Sequence, residues 1–230
     1  MIFSPPSFEL SPAFKAAYPD ARAGILVMRG VSNPQTHAGL AERKQELERE
    51  LRARFGNGDK QAINALPVVQ AYRDYYRRFK QSYHVQGQLE SIVFRGKDIP
   101  NVSALVEAMF MAELKNLLLT AGHDLDTLQL PVVLDASDGE ESYTRLQGDE
   151  QVLKLGDMFM RDQAGVISSI LLGPDKRTRI TGQTRNVLFA VYAPAGIERG
   201  TVVQHLEDIR QNVLLISPEA NADLLDVFGA

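Results

Sequence analysis

His123-Asp124-Leu125-Asp126 sets an imidazole beside two carboxylates. If the run follows the end of a helix, the helix dipole and the aspartates both favour a cationic ring, which could donate a proton or bind an ester carbonyl. His123 is therefore the candidate catalytic residue; the alternative is a loop whose aspartates cap a turn. A second cluster interleaves Lys176, Arg177, Arg179 and Arg185 with Thr178, Thr181 and Thr184. It has the donors to hold a phosphate or carboxylate. The same charges would equally guard a solvated hairpin edge against sheet-to-sheet pairing. His84, Gln86 and Gln88 could hydrogen-bond a small ligand from a polar loop, Tyr83 to Gln88. Between Val68 and Tyr83, residues Tyr72, Tyr75, Tyr76 and Phe79 share one helical side, and Arg73, Arg77 and Lys80 share another. Guanidinium groups for phosphates and rings for bases would suit RNA. An amphipathic helix with its aromatics in the core and its arginines in water has the same pattern.

Other chemistry lacks a warrant. The chain has no cysteine, which excludes a thiol nucleophile, a disulfide framework and a cysteine-based zinc site. His37, His84, His123 and His205 form no HExxH pair or other compact ligand spacing. No GxSxG and no Walker A motif occurs. Neither a metal nor a cofactor is expected.

These residues need elements to position them. The organising stretch runs from Glu90 to Leu128. Asp98-Ile99-Pro100-Asn101 reads as a turn with Asn101 as helix N-cap. From Val102 to about Leu119 the apolar residues are too dense for a one-sided helix, so the helix is buried. It is expected to stop at Thr120-Ala121-Gly122, with the glycine at its C-terminus and His123 just beyond. Upstream, Pro5, Pro6, Pro12 and Pro19 make residues 1–22 extended and turn-rich; Ala23 to Gly30 reads as a buried strand, and Leu40 to Phe55 as a solvated helix with one apolar stripe, ended by Gly56-Asn57-Gly58-Asp59. Downstream the chain is strand-rich. Leu130 to Asp135, Val166 to Leu172 and Asn186 to Ala193 read as strands, and Gln151 to Leu155 with Met158 to Arg161 as a hairpin about Gly156-Asp157. Thr201 to Asn212 is a helix, Val213 to Ile216 a short apolar segment, and Ser217-Pro218-Glu219 the start of a last short helix reaching Phe228.

The composition is ordinary for a globular chain, with 44% hydrophobic and 23% charged residues among 230. The formal net charge of −4 leaves no whole-chain basic field, so RNA contact would need a local patch. No apolar run approaches the ~18–20 residues that span a bilayer. MIFSPPSFEL carries no secretory signal, and a cytoplasmic protein with no membrane partner is expected. Helices early and strands late suggest α+β in one domain, 1–230.

The order of several short motifs resembles the B3/B4 domain of the bacterial phenylalanyl-tRNA synthetase β subunit, which also occurs free-standing. The likeness covers roughly Tyr72 to Ala195. It runs through Ile99-Pro100-Asn101-Val102, Val106-Glu107, Asp124-Leu125-Asp126, Asp135-Ala136, the Gly148 region, Met160-Arg161-Asp162, and Ile180-Thr181 with Thr184. The resemblance implies layered β-sheets with helices around a buried central helix. It also implies a pocket that admits the tRNA 3′ end and hydrolyses tyrosine wrongly esterified to phenylalanine tRNA, an editing site that adds discrimination by hydrolysis. This chain departs from the family pattern at Phe110, in place of an Asn on the central helix. It departs at Ala121, in place of the His, and at Arg179, where the acid that reads the tyrosine hydroxyl falls. Charge reversal at Arg179 favours an anionic group over a phenol. The expectation is a free-standing domain that binds tRNA or an aminoacyl ester, with hydrolysis of mischarged aminoacyl-tRNA in trans left open. Its pocket would be lined by His84, Gln86, His123, Arg179 and Thr181, with Arg73, Arg77, Arg177 and Arg185 on the RNA. The alternatives are a binder of a small amino-acid-like anion without RNA and a protein-interaction module. The pocket requires the loop at His84, the end of the central helix and the Arg179 segment to meet around one cavity.

Overall fold

Two eight-residue strands, RAGILVMR and NVLFAVYA, are buried almost end to end, because their continuous apolar runs leave no side fit for water. A computed structural model describes residues 7–56, 58 and 60–230. The elements in chain order are β1 (Phe8–Leu10), α1 (Pro12–Ala17), β2 (Arg22–Arg29), α2 (Ala38–Phe55), α3 (Lys60–Asn64), α4 (Pro67–Arg78), α5 (His84–Arg95), α6 (Ala104–Asn116), β3 (Leu119–Asp124), β4 (Val132–Ala136), β5 (Ser142–Thr144), β6 (Glu150–Val152), β7 (Met158–Asp162), β8 (Gly165–Ser169), β9 (Gly173–Pro174), β10 (Asn186–Ala193), α7 (Arg199–Ile216) and β11 (Asn221–Phe228). The Pro5-Pro6 stretch, and Asn57 and Asp59 of the turn after α2, lie outside the described residues.

The fold is α+β, with two principal sheets in layers. One sheet has the order β11-β2-β10-β3, all antiparallel, and the other the order β1-β4-β7-β8-β9. On one face of the first sheet lie α6 and α7. The approach is close enough to demand glycine: a Cβ on Gly24 would fall 2.5 Å from Val202 of α7, and one on Gly122 would fall 2.9 Å from Met109 of α6. The other face meets the second sheet, where the Tyr192 hydroxyl and Ser168 Oγ are 2.6 Å apart.

Helix α6 is the buried centre. Ala104, Leu105, Ala108, Met111, Ala112 and Leu114 are all out of water, and the turn before it is fastened by side chains. Glu48 Oε1 accepts the Ile99 N–H at 2.7 Å, and the Lys44 ammonium reaches Asn101 and Glu107. Lys44 and Glu48 of α2, read as part of a wet face, are thus buried and paired. Both expected ends move inward. Asn101 is taken by Lys44, so Ser103 occupies the N-cap, and Leu117 turns left-handed at φ 58° to end the helix. Gly122 is not a cap; it sits within β3, where packing excludes a Cβ.

Other expectations give way for tertiary reasons. Segment 84–88 is not a loop but the first turn of α5. Ser217 starts no helix, because its hydroxyl accepts the Ser32 N–H at 2.8 Å, and the following chain pairs with β2 as β11. Val213 to Ile216 continues α7. Strand β6 pairs with β5, and β7 with β4 and β8, so no hairpin forms about Gly156-Asp157. There Asp157 is drawn inside to accept the Tyr75 hydroxyl at 2.8 Å and the Ser169 hydroxyl. Helix α1, capped by Ser11 with Pro12 in its first turn, is too short to register as a period in the sequence.

Candidate functional site

His123 lies in the middle layer, in β3 and not beyond a helix end. It is fully buried, its Nδ1 is 2.7 Å from Thr178 Oγ1, and Thr178 in turn donates to Asp175. Burial, with the positive Arg177 nearby, holds its pKa down to about 3, so the ring is neutral near pH 7. The cationic proton donor expected from a helix dipole is therefore absent: no helix ends there, and desolvation outweighs the aspartates. Asp124 accepts the Thr184 hydroxyl at 2.6 Å and the Asp126 N–H at 3.1 Å.

The basic cluster is largely tied inward. Arg177 grips Asp162 with both terminal nitrogens, at 2.9 and 2.8 Å. Arg185 donates to the carbonyls of Gly182 and Thr184, and Arg179 to that of Lys176. Backbone pairing joins Arg179 to His123, while its side chain is exposed. Thr181 closes a turn with Thr184 and Gln183, and its carbonyl accepts the Asn33 amide. The segment covers the edge of β3 at its C-terminal end.

On α4 the rings belong to the core. Tyr72 accepts the Leu119 N–H at 2.9 Å and stacks on Tyr83 with ring centroids 4.3 Å apart, and Tyr76 donates to the Ile170 carbonyl at 2.6 Å. No ring of this group is left for a base. Arg73 and Arg77 face outward over a hollow of about 410 Å³ shared with Asn64, Gln81, Ser82, Gln86 and Glu90. Arg77 is paired with Asp74 at 2.9 Å, both well exposed. Arg73 has no hydrogen-bond or ion-pair partner among the described residues. Gln86 opens on this hollow, its amide donating to Asn64 and Glu90 at 2.8 Å each.

Helix α5 is a wall between two spaces. Gln86, Gly87 and Glu90 look onto the basic hollow; His84 and Gln88 look the other way, into a cleft of about 170 Å³. This cleft opens beside the N-terminal half of β3, the end strand of its sheet, where among the described residues no strand pairs with its outer edge. Leu119, Thr120 and Ala121 form one side, Phe110 and Glu113 of α6 a second, and Ser169, Ile170, Gly173 and Pro174 of the second sheet a third, with Tyr192 between. Gln88 and Phe110 also border an outer chamber of about 290 Å³, reached past Ile92, Lys97 and Pro100. The Gln88 amide oxygen is buried without a partner. His84 keeps an exposed edge, but its ring packs against Tyr76 and Tyr83, and the lost solvent lowers its pKa below the ordinary value.

Glu113 is the cleft residue that sequence reasoning passed over. Its only signal was an acid inside a helix that is apolar on most sides. The Thr120 N–H donates to it at 2.6 Å, and burial pushes its pKa up to about 8. Thr120 leads on to a buried imidazole, with Oγ1 2.7 Å from His205 Nε2; desolvation lowers the pKa of that ring to about 4. Of the expected lining, only His84 borders the cleft; Gln88 of the same polar run borders it too, as do Phe110 and Ala121, the positions where the chain departs from the family pattern. Gln86, His123, Arg179 and Thr181 lie elsewhere. Among the described residues, no group of three or more acidic or histidine side chains could hold a metal ion, and no helix is long and apolar enough to cross a membrane.

The fold is similar to the crystal structure of an N-terminal fragment of the phenylalanyl-tRNA synthetase β subunit from Pyrococcus horikoshii, with a TM-score of 0.51 over 97% of this chain. The likeness is one of fold. Sequence identity is 11%, and this chain spans about half of that fragment, 50% of its length. No family model matches the sequence, and neither does any curated protein.

Proposed function

We propose that the chain acts as one domain that binds the aminoacyl end of a tRNA. The aminoacyl ester would occupy the cleft, and phosphates of the 3′ end would lie against Arg73 and Arg77. What carries this reading is the arrangement about α5: an amino-acid-sized cleft on one face and an outward guanidinium hollow on the other, about one helix diameter, ~10 Å, apart. The N-terminus of α5, without a side-chain cap, lies between them and favours a phosphate passing over it. The fold likeness to a synthetase fragment is compatible with this. Hydrolysis of the ester would draw on positioning and on Glu113 and His84 at the cleft.

The test is to incubate the purified chain with a panel of correctly and wrongly charged tRNAs. Retention should fall steeply as salt rises. Free amino acid should appear from at least one mischarged species if the site also hydrolyses. Retention of no charged tRNA at low salt, together with no release, overturns the proposal. A second reading, a binder of amino-acid-like molecules without RNA, is favoured by the internal commitment of Arg177 and Arg185 and by the net charge of −4. It predicts a thermal shift with a small ligand and none with tRNA.

A further inference from the structure

Glu113 differs from the other buried acids. Glu107 meets the Lys44 ammonium and the Val102 N–H, each at 2.8 Å. Asp162 holds both arms of Arg177 and accepts the N–H groups of Gln129 and Ala164. Asp175 accepts the hydroxyl and N–H of Thr178 and the N–H of Arg177. Glu113 has one donor, the Thr120 N–H. No cation faces it. The titratable groups around it are Tyr72, Tyr76 and Tyr83 from α4 and the segment leading into α5, His84 on α5, Tyr192 on β10 and, beyond Thr120, His205 on α7. Burial raises the pKa of each phenol and lowers that of each imidazole, so all six are neutral near pH 7. A buried acid without a counter-charge keeps its proton, in keeping with a pKa of about 8.

This acid borders an opening, and the rest of the opening suits a cation. The Gln88 amide oxygen, an acceptor with no donor, stands where the cleft joins its outer chamber. The rings of Phe110 and Tyr192 line the same space, and an aromatic face attracts a cation. We propose that the missing partner of Glu113 is the primary ammonium group of a ligand, so that the cleft selects aminoacyl groups with a free α-amino group over N-acylated ones. That the ligand is an aminoacyl group rests on the function proposed above; the preference for a free amine does not. An ammonium has three donors, which Glu113 and the Gln88 oxygen would share. Acylation removes the charge and adds bulk in a space close in size to the ~150 Å³ apolar cavity that holds one benzene ring.

The sign of the proton linkage is fixed. Unliganded Glu113 is protonated at about pH 6.5, where an α-amino group is also protonated. Pairing favours the carboxylate, so binding should release about one proton. Phenylalaninamide cannot lose its amino acid to ester hydrolysis, and its N-acetyl counterpart is the control. Titration calorimetry of the full chain at this pH, in buffers of different ionisation enthalpy, should show the free amine bound at least about tenfold more tightly, with the proton released. Glu113→Gln keeps the acceptor for Thr120 and should lose both the preference and the proton release. Equal binding of the two amides, absence of proton release, an unchanged variant, or no binding of either amide at millimolar concentration each overturns the proposal. Deacylation of free and N-acetylated aminoacyl-tRNA separates the two readings. Equal action on both keeps the tRNA function and removes the amine preference. Amine selection without tRNA retention does the reverse.

Discussion

The two ends of β3 treat their polar groups in opposite ways. At the C-terminal end, the Thr178–Arg179 segment covers the edge of the strand, the Asp124 N–H donates to the Thr178 carbonyl at 2.7 Å, and Asp162, Asp175 and Asp124 are each filled by several donors. At the N-terminal end the covering segment has turned away, and Leu119 to Ala121 face a cleft where Glu113 has one donor and the Gln88 oxygen none. The sequence places the greater density of ionisable residues at the first end, yet the second is the one left open. Polar groups that satisfy one another hold the fold together; those left unsatisfied beside an opening are available to a ligand. One atom departs from this division: His123 Nε2 is buried at the closed end without a partner.

The comparison breaks most visibly at the closed end. Asp162→Ala removes the acceptor of two N–H groups and of the part-exposed Arg177 guanidinium and should cost about 2–3 kcal/mol in urea denaturation, with amine binding by the folded fraction unchanged. Lost binding at retained stability would mean that the two ends are not separate.

Glu113→Gln should act on pH dependence. Folding raises this carboxyl from about 4.5 to about 8, so the folded chain holds a proton that the unfolded chain gives up in that window. The stability tied to that proton is complete below about 4.5 and is lost as pH rises through 8. The variant lacks that loss. Near pH 9 it should be more stable than the parent by on the order of 2–4 kcal/mol, the difference shrinking toward pH 5. His123, His205 and Asp157 titrate in both proteins and cancel in the difference. A constant offset across this range would show that Glu113 is charged in the free protein.

Ala121→Leu puts a larger side chain into the open end. Amine binding should fall at least about tenfold for a stability change of about 1–2 kcal/mol. The smallest change in the fold comes from reversing Arg73 and Arg77 to Glu together. Stability should stay within about 0.5 kcal/mol and amine binding should be unaffected, while the slope of log affinity for tRNA against log salt falls by about 2. An unchanged slope would move the RNA to another surface.

Strands β2 and β10 were legible because continuous apolar runs bounded by turn residues have few other uses. Helices α2, α4 and α6 were legible from spacing or from apolar density. The segment Asn221–Phe228 was not: Ser217-Pro218-Glu219 carries a helix-start signal, and only the free edge of β2 and the bond from Ser32 to Ser217 make it a strand. At the site, His84 alone of the expected lining borders the cleft; Gln86 opens on the basic hollow, Arg179 and Thr181 lie at the other end of β3, and His123 was misplaced because a glycine near a helix end reads as its stop. Glu113 was invisible as a functional group, since an acid in an apolar helix is distinctive only once its neighbours are known.

The sequence by itself determined that β2, β10 and α6 are submerged, that the chain is α+β, and that thiol chemistry is excluded, because these depend on composition and on local periodicity. Only the tertiary structure decided which edge of β3 is covered, which acids have found donors, and which face of α5 each polar residue takes. Those outcomes depend on partners far along the chain, and the desolvation that keeps a proton on Glu113 arises only when α4, α5, α6, β3 and β10 close around it.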